Sequence, residues 1–211
     1  MKWIFALRQR FLLQSFRPRF HLLLAALSLI VVLGIAGLSQ IPLQAQSYSA
    51  AVRGNLWQHA AFPVENFQTY TSLFGYRLSP TSGERQFHSG LDLAAPLGSY
   101  VRNWWEGQVI EVSDNTACGT SIRIQSGDWQ HIYCHLMGRV QTQGNQHYLV
   151  ETNSGMIIQQ GQVLPVGARI GRVGMTGRTT GPHLHWALKY GGNYIDPALV
   201  LQAMFQQQTA S

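Results

Sequence analysis

From Phe62 onward no long stretch repeats apolar residues at helical spacing. Instead, short β-rich runs recur between glycine turns: GLDLAAP, SYVRNWWEGQVIEVS, TSIRIQ, QHIYCHL, HYLVETN, QVLPVGARIGRVG and PHLHWALKY. The chain has 21 glycines, and the punctuation falls about every eight to twelve residues, the spacing of an all-β sandwich or barrel with short antiparallel connections. The turns of Gly161–Gly174 are evenly spaced but do not recur elsewhere, so no repeat architecture is expected. A short helix is expected from Pro197, followed by a loose tail over residues 201–211.

Charge is unevenly distributed. The net charge is +6, but Lys2, Arg8, Arg10, Arg17 and Arg19 stand in the first twenty residues with no acid among them, leaving ten bases against nine acids in the rest. A near-neutral body argues against nucleic acid as a partner. After the basic stretch comes Leu22–Leu38, seventeen residues in which only Ser28 is polar. Basic start, apolar run and the small-residue site Leu43-Gln44-Ala45 read as a secretory signal over residues 1–45, with an uncleaved membrane anchor as the alternative. Either reading places residues 46–211 outside the cytoplasm and limits membrane contact to the amino-terminal segment. Residues 46–61 have no clear period and read as a linker or short lead-in helix.

Three segments carry chemistry: His88-Ser89-Gly90-Leu91-Asp92, Tyr133-Cys134-His135-Leu136 and Gly181-Pro182-His183-Leu184-His185. Histidines with one carboxylate are ligands suited to zinc. His183 and His185, two apart on a strand, face one side while Leu184 faces the core. An extended chain would hold His88 and Asp92 about 13 Å apart, so the chain must turn between them, and Gly90 is the residue that permits it. His88, Asp92 and one histidine of the pair make three ligands, leaving a coordination position for water, as in a catalytic site. The other histidine and His135 could then assist the water and the substrate carbonyl. Each piece alone is more often packed or surface residues; the combination favours metal-assisted hydrolysis. His131 shares a face with His135 by parity but reads, with His59 and His147, as an ordinary polar residue. Of the adjacent Trp104 and Trp105, at most one faces the core.

Cys118 and Cys134 flank a hairpin centred on Ser126. Cys118 shares parity with Ile122 and Ile124, and Cys134 with Ile132 and Leu136, so both thiols are expected on one apolar face, where they could form a disulfide. Two buried free thiols are the alternative. Zinc ligation is a poor third, because no Cys-x-x-Cys pair exists.

These residues resemble the lysostaphin-type, or LytM-domain, zinc metallopeptidases that cut peptide bridges in bacterial cell walls. The resemblance runs from about Phe62 to Val200 through Ser72–Arg77, Phe87–Pro96, Tyr133–Leu136, Val173–His185 and Tyr194–Pro197. It implies an antiparallel β-sheet core with a groove walled by loops, and one Zn²⁺ per chain held by His88, Asp92 and His185. It also implies that His135 and His183 are the catalytic, non-ligand histidines. The expected domain is residues 62–200, and the expected function is zinc-dependent hydrolysis of peptide bonds in peptidoglycan stem peptides or cross-links. The rival is a non-catalytic wall-binding module, or an activator of other wall hydrolases, with the same fold. Loops such as Ser79–Gln86 and Gln141–Gln159 are expected to wall the groove.

Overall fold

The computed structural model describes residues 55–80 and 82–210; the expected signal or anchor over residues 1–45 lies outside them. The main sheet runs, in spatial order, β1 (Thr69–Ser72), β4 (Leu91–Ala94), β14 (His183–Tyr190), β8 (Trp129–Cys134), β7 (Ser121–Ser126), β6 (Gly107–Ser113) and β12 (Val163–Leu164), with β15 (Asn193–Ile195) paired to β14. Every pairing is antiparallel. The all-β expectation therefore holds. Two separate two-stranded sheets accompany it: the hairpin of β2 (Gly75–Leu78) with β3 (Arg85–His88), and β5 (Tyr100–Arg102) paired with the distant β13 (Arg169–Arg172). A separate three-stranded sheet is built from β9 (Arg139–Gln143), β10 (Gln146–Glu151) and β11 (Met156–Gln159).

The two-residue period of the strands sorts the main sheet into two unlike faces. One face carries Leu91, Leu93, Leu184, Trp186, Leu188, Tyr133, Ile122 and Ile124, all buried in the core. The opposite face carries Asp92, His183 and His185, together with a small apolar cluster of Ile132, Cys134 and Ala187. Asp92 thus alternates against Leu91 and Leu93, and His183 and His185 against Leu184, as expected from their spacing.

Residues 55–59 take the second of the two expected forms, the short lead-in helix, and are not a linker. They form a 3-10 helix (Asn55–His59) that buries Trp57 between Trp104, at 4.7 Å between ring centroids, and Trp129, at 5.3 Å. Burying an indole of this size is a strong reason for an otherwise non-periodic segment to pack. Nor is residue 201 onward a loose tail: helix α1 spans Pro197–Thr209, with Asp196 as N-cap accepting from the Ala198 N–H and proline in the first turn. Leu201, Ala203 and Met204 of α1 are buried. Trp104 is fully buried, and Trp105 packs edge-on against Trp57.

Candidate active site

Register builds the site. β8, β14 and β4 are neighbours, and Cys134, His185 and Asp92 sit side by side across them. His88 arrives from the end of β3, buried, and its Nδ1 donates to the Leu73 carbonyl at 2.7 Å. That bond leaves His88 Nε2 with a lone pair, directed at Asp92 Oδ1 at 3.1 Å and His185 Nδ1 at 3.0 Å. His185 Nδ1 and Asp92 Oδ1 are 2.8 Å apart.

Three donor atoms converging within 2.8–3.1 Å require a proton or a cation among them. A zinc ion about 2.0–2.1 Å from each of three tetrahedral ligands would space them about 3.3 Å apart, close to what is found. The group His88, Asp92 and His185 could therefore hold a metal ion, and the Leu73 carbonyl fixes the His88 tautomer that such a role needs. Burial alone would raise the Asp92 pKa. The imidazoles of His185 and His88, which share that proton with the carboxylate, outweigh it and hold the carboxyl well below the usual carboxylate range. Burial lowers the His185 pKa, with Asp92 opposing. The Arg77 guanidinium lies 3.9 Å from the other Asp92 oxygen.

Gly90 differs from its expected role. Its φ is not positive; what matters is space, since a Cβ there would come within 2.7 Å of the His185 ring and of the Trp186 carbonyl. Glycine lets the β3–β4 connection lie directly against the imidazole.

His135 and His183 stand beside this group, their rings 4.9 Å apart, with His135 6.0 Å from His185. His135 Nδ1 donates to the Thr176 carbonyl at 2.8 Å, leaving Nε2 as an acceptor. Burial pushes its pKa down to about 4, against the raising effect of that bond, so the ring is neutral near pH 7. His183 Nδ1 lies 2.9 Å from the Gly181 carbonyl and 3.3 Å from Thr179 Oγ1, and its Nε2 lies 3.6 Å from Asp92 Oδ1.

Parity puts His131 and His135 on one face, but the structure separates them. His135 has φ +62°, which breaks the alternation after β8 and turns its ring to the site. His131 stays in the core, where its Nε2 meets Ser126 Oγ and its Nδ1 meets the Tyr133 hydroxyl, both at 2.8 Å. It is a buried structural residue, not an ordinary polar one.

The site opens into a groove of about 310 Å³. Arg77 and Phe87 of the β2–β3 hairpin form one wall, and Cys118, Arg178 and Thr179 form the other. Of the expected walls, Ser79–Gln86 contributes Pro80 and Gln86, whereas Gln141–Gln159 contributes no lining residue. That stretch belongs to β9–β11 and sends Leu149 and Ile158 into the core.

Cys118 and Cys134 form a disulfide with Cα atoms 5.0 Å apart, but not across the hairpin. Ile122 pairs with Tyr133, so Cys118 lies before β7 in a turn. Nor do the cysteines share the face of Ile122 and Ile124: the bridge lines the groove, beside Ile132 and Ala187. Arg77, Thr176 and Thr179 went unassigned from sequence. All three lie inside the motifs Ser72–Arg77 and Val173–His185, but nothing local marks a backbone carbonyl such as that of Thr176 as the partner of His135.

Residues 137–197, which include His183 and His185, match Peptidase family M23. The DD-carboxypeptidase/endopeptidase Mpg of Neisseria meningitidis serogroup B is 33% identical over 148 residues, which make up 69% of this chain and 30% of that protein. The chain carries a Peptidase family M23 domain. The M23 domain is also similar to the peptidoglycan DD-endopeptidase ShyA of Vibrio cholerae, 31% identical over 137 residues, or 64% of this chain and 28% of ShyA. A solved zinc-containing peptidase from Vibrio cholerae matches with a TM-score of 0.51 at 28% identity, over 68% of this chain and 38% of that one. Lysostaphin from Staphylococcus simulans, at 22% identity and a TM-score of 0.50 over 66% of this chain and 50% of its own, shares the fold. The chain spans about 30% of the length of the curated relatives it matches.

Proposed function

We propose that this protein is a zinc-dependent endopeptidase that hydrolyses peptide bonds in peptidoglycan stem peptides or cross-links, in the periplasm or cell envelope. The observation that carries the reading is the convergence of His88, Asp92 and His185 beside His135, a neutral imidazole with a free nitrogen. His88, Asp92 and His185 would hold one zinc ion, which, when bound, polarises a carbonyl oxygen and acidifies water. His135 Nε2 takes the proton of the attacking water, because Nδ1 is committed to Thr176. His183 Nδ1 is held by Gly181, so its Nε2 donates to developing oxygen charge when protonated, and later to the leaving amine. Similarity to relatives named as peptidoglycan DD-endopeptidases supports wall peptides as the substrate.

Purified protein, stripped with a chelator and reloaded with zinc, should release soluble muropeptides from purified peptidoglycan only when loaded. Wall binding without cleavage by the loaded protein would instead favour the non-catalytic module.

A further inference from the structure

Charge is one-sided in the groove. Its lining includes three arginines, Arg77, Arg123 and Arg178, and a single carboxylate, Asp92. Arg77 lies against Asp92. The other two are on the opposite side: Arg123 on β7, and Arg178 with its N–H on the Ala117 carbonyl, in the wall next to the disulfide. Arg178 is exposed and makes no ion pair among the described residues. Arg123 shares one contact, 3.3 Å, with the half-exposed Glu111, while its Nε is buried without a partner. Between these cations and the histidines the floor is apolar, formed by Ile132, Ala187 and the disulfide.

Register supplies the distance. Arg123 pairs with Ile132 and Ile132 with Ala187, so Arg123 lies two strands across and two residues along from His185. With strands about 4.8 Å apart and about 3.4 Å per residue, the Cα atoms are about 12 Å apart. A peptide extended from the candidate metal group reaches the guanidinium within about three residues of the reacting bond.

We propose that Arg123 and Arg178 form a carboxylate subsite, so that this site selects peptides bearing a free carboxylate within about three residues of the bond it cuts. The proposal rests on the peptidase reading above. Guanidinium forks match carboxylates in geometry and charge, and such bonds contribute about 1.5–3 kcal/mol, roughly tenfold or more in affinity.

The test uses zinc-loaded protein and synthetic cross-linked stem peptides in pairs, carboxylate against carboxamide, with the changed group one, two or three residues either side of the cleavable bond. At one position the wild type should prefer the carboxylate by tenfold or more in kcat/KM, mainly through KM. Arg123→Gln combined with Arg178→Gln should bring that ratio towards one, and an unchanged circular-dichroism spectrum and melting temperature show that the variant is folded. Equal rates on every pair by the wild type, or a preference that survives both substitutions, would overturn the subsite. Calorimetric binding of the same pairs runs alongside. If no peptide is cleaved, the peptidase reading fails, and the carboxylate-to-carboxamide affinity ratio still decides the subsite.

Discussion

His135 adopts a backbone conformation that a non-glycine residue takes at about 1–2 kcal/mol, and it is held there from both sides. Its N–H donates to the Cys118 carbonyl and its carbonyl accepts from Gly174 N–H, both at 2.8 Å. Such over-determined strain belongs to residues with a task. Under the proposed roles, alanine at His88, Asp92 or His185 should abolish stoichiometric zinc. Alanine at His135 or His183 should retain it yet lose about 10²-fold or more in turnover. Elemental analysis of the five variants beside their rates separates the sets, and zinc lost from His183→Ala but kept by His185→Ala would reverse the assignment within the pair. His131 supports a different prediction. Burial lowers its pKa from 6.5 to about 3, so the folded state keeps it neutral. Its contribution is full above about pH 6.5 and is lost as pH falls from there towards 3. Urea midpoints across that range should fall less steeply in His131→Asn than in the wild type. The His-x-His pair and Asp92 were legible in sequence because they lie on strands, where parity holds. His131 and His135 were separable only by a left-handed residue that no local pattern announces.

At the scale of elements, the disulfide and the turn that carries it support the face of the candidate site. Cys134 precedes His135 and the Cys118 carbonyl takes the His135 N–H, so the bridge fixes that histidine twice. Replacing both cysteines with alanine should lower stability by about 3 kcal/mol, the value for a closed loop of about 17 residues. It should also reduce turnover, by loosening His135. Melting temperature and kcat measured on the same sample check both, and unchanged kcat would remove the positioning role. The strand period identified an antiparallel sheet with the glycine turns as its punctuation, but elements added to it were harder to see. Residues 141–159 read as a groove loop because their polar turns hide the few apolar positions, Leu149 and Ile158, that tie them to the core. The cysteines failed as a parity argument because one of them is not on a strand at all.

Across the molecule, the described chain closes on itself. Trp57 N–H donates to Gln207 Oε1 of α1 at 2.9 Å, and Gln208 Nε2 returns bonds to the Trp57 and Ala60 carbonyls at 3.2 and 2.8 Å. Trp57→Ala, which empties an indole site in the core, should destabilise the domain by about 3–5 kcal/mol without altering zinc content, as read by denaturant melts and elemental analysis. The candidate metal group closes a second long circuit, for His185 lies 93 residues beyond Asp92 and 97 beyond His88. No short fragment of the chain holds all three donors, because they span residues 88–185, and the unfolded chain scatters them. Under the proposed zinc role, binding and folding are therefore one equilibrium viewed from two ends: free zinc at a thousand times its Kd should add about 4 kcal/mol to stability. The melting temperature should climb with zinc concentration in the wild type and stay level in Asp92→Ala, making thermal melting a binding assay that needs no substrate.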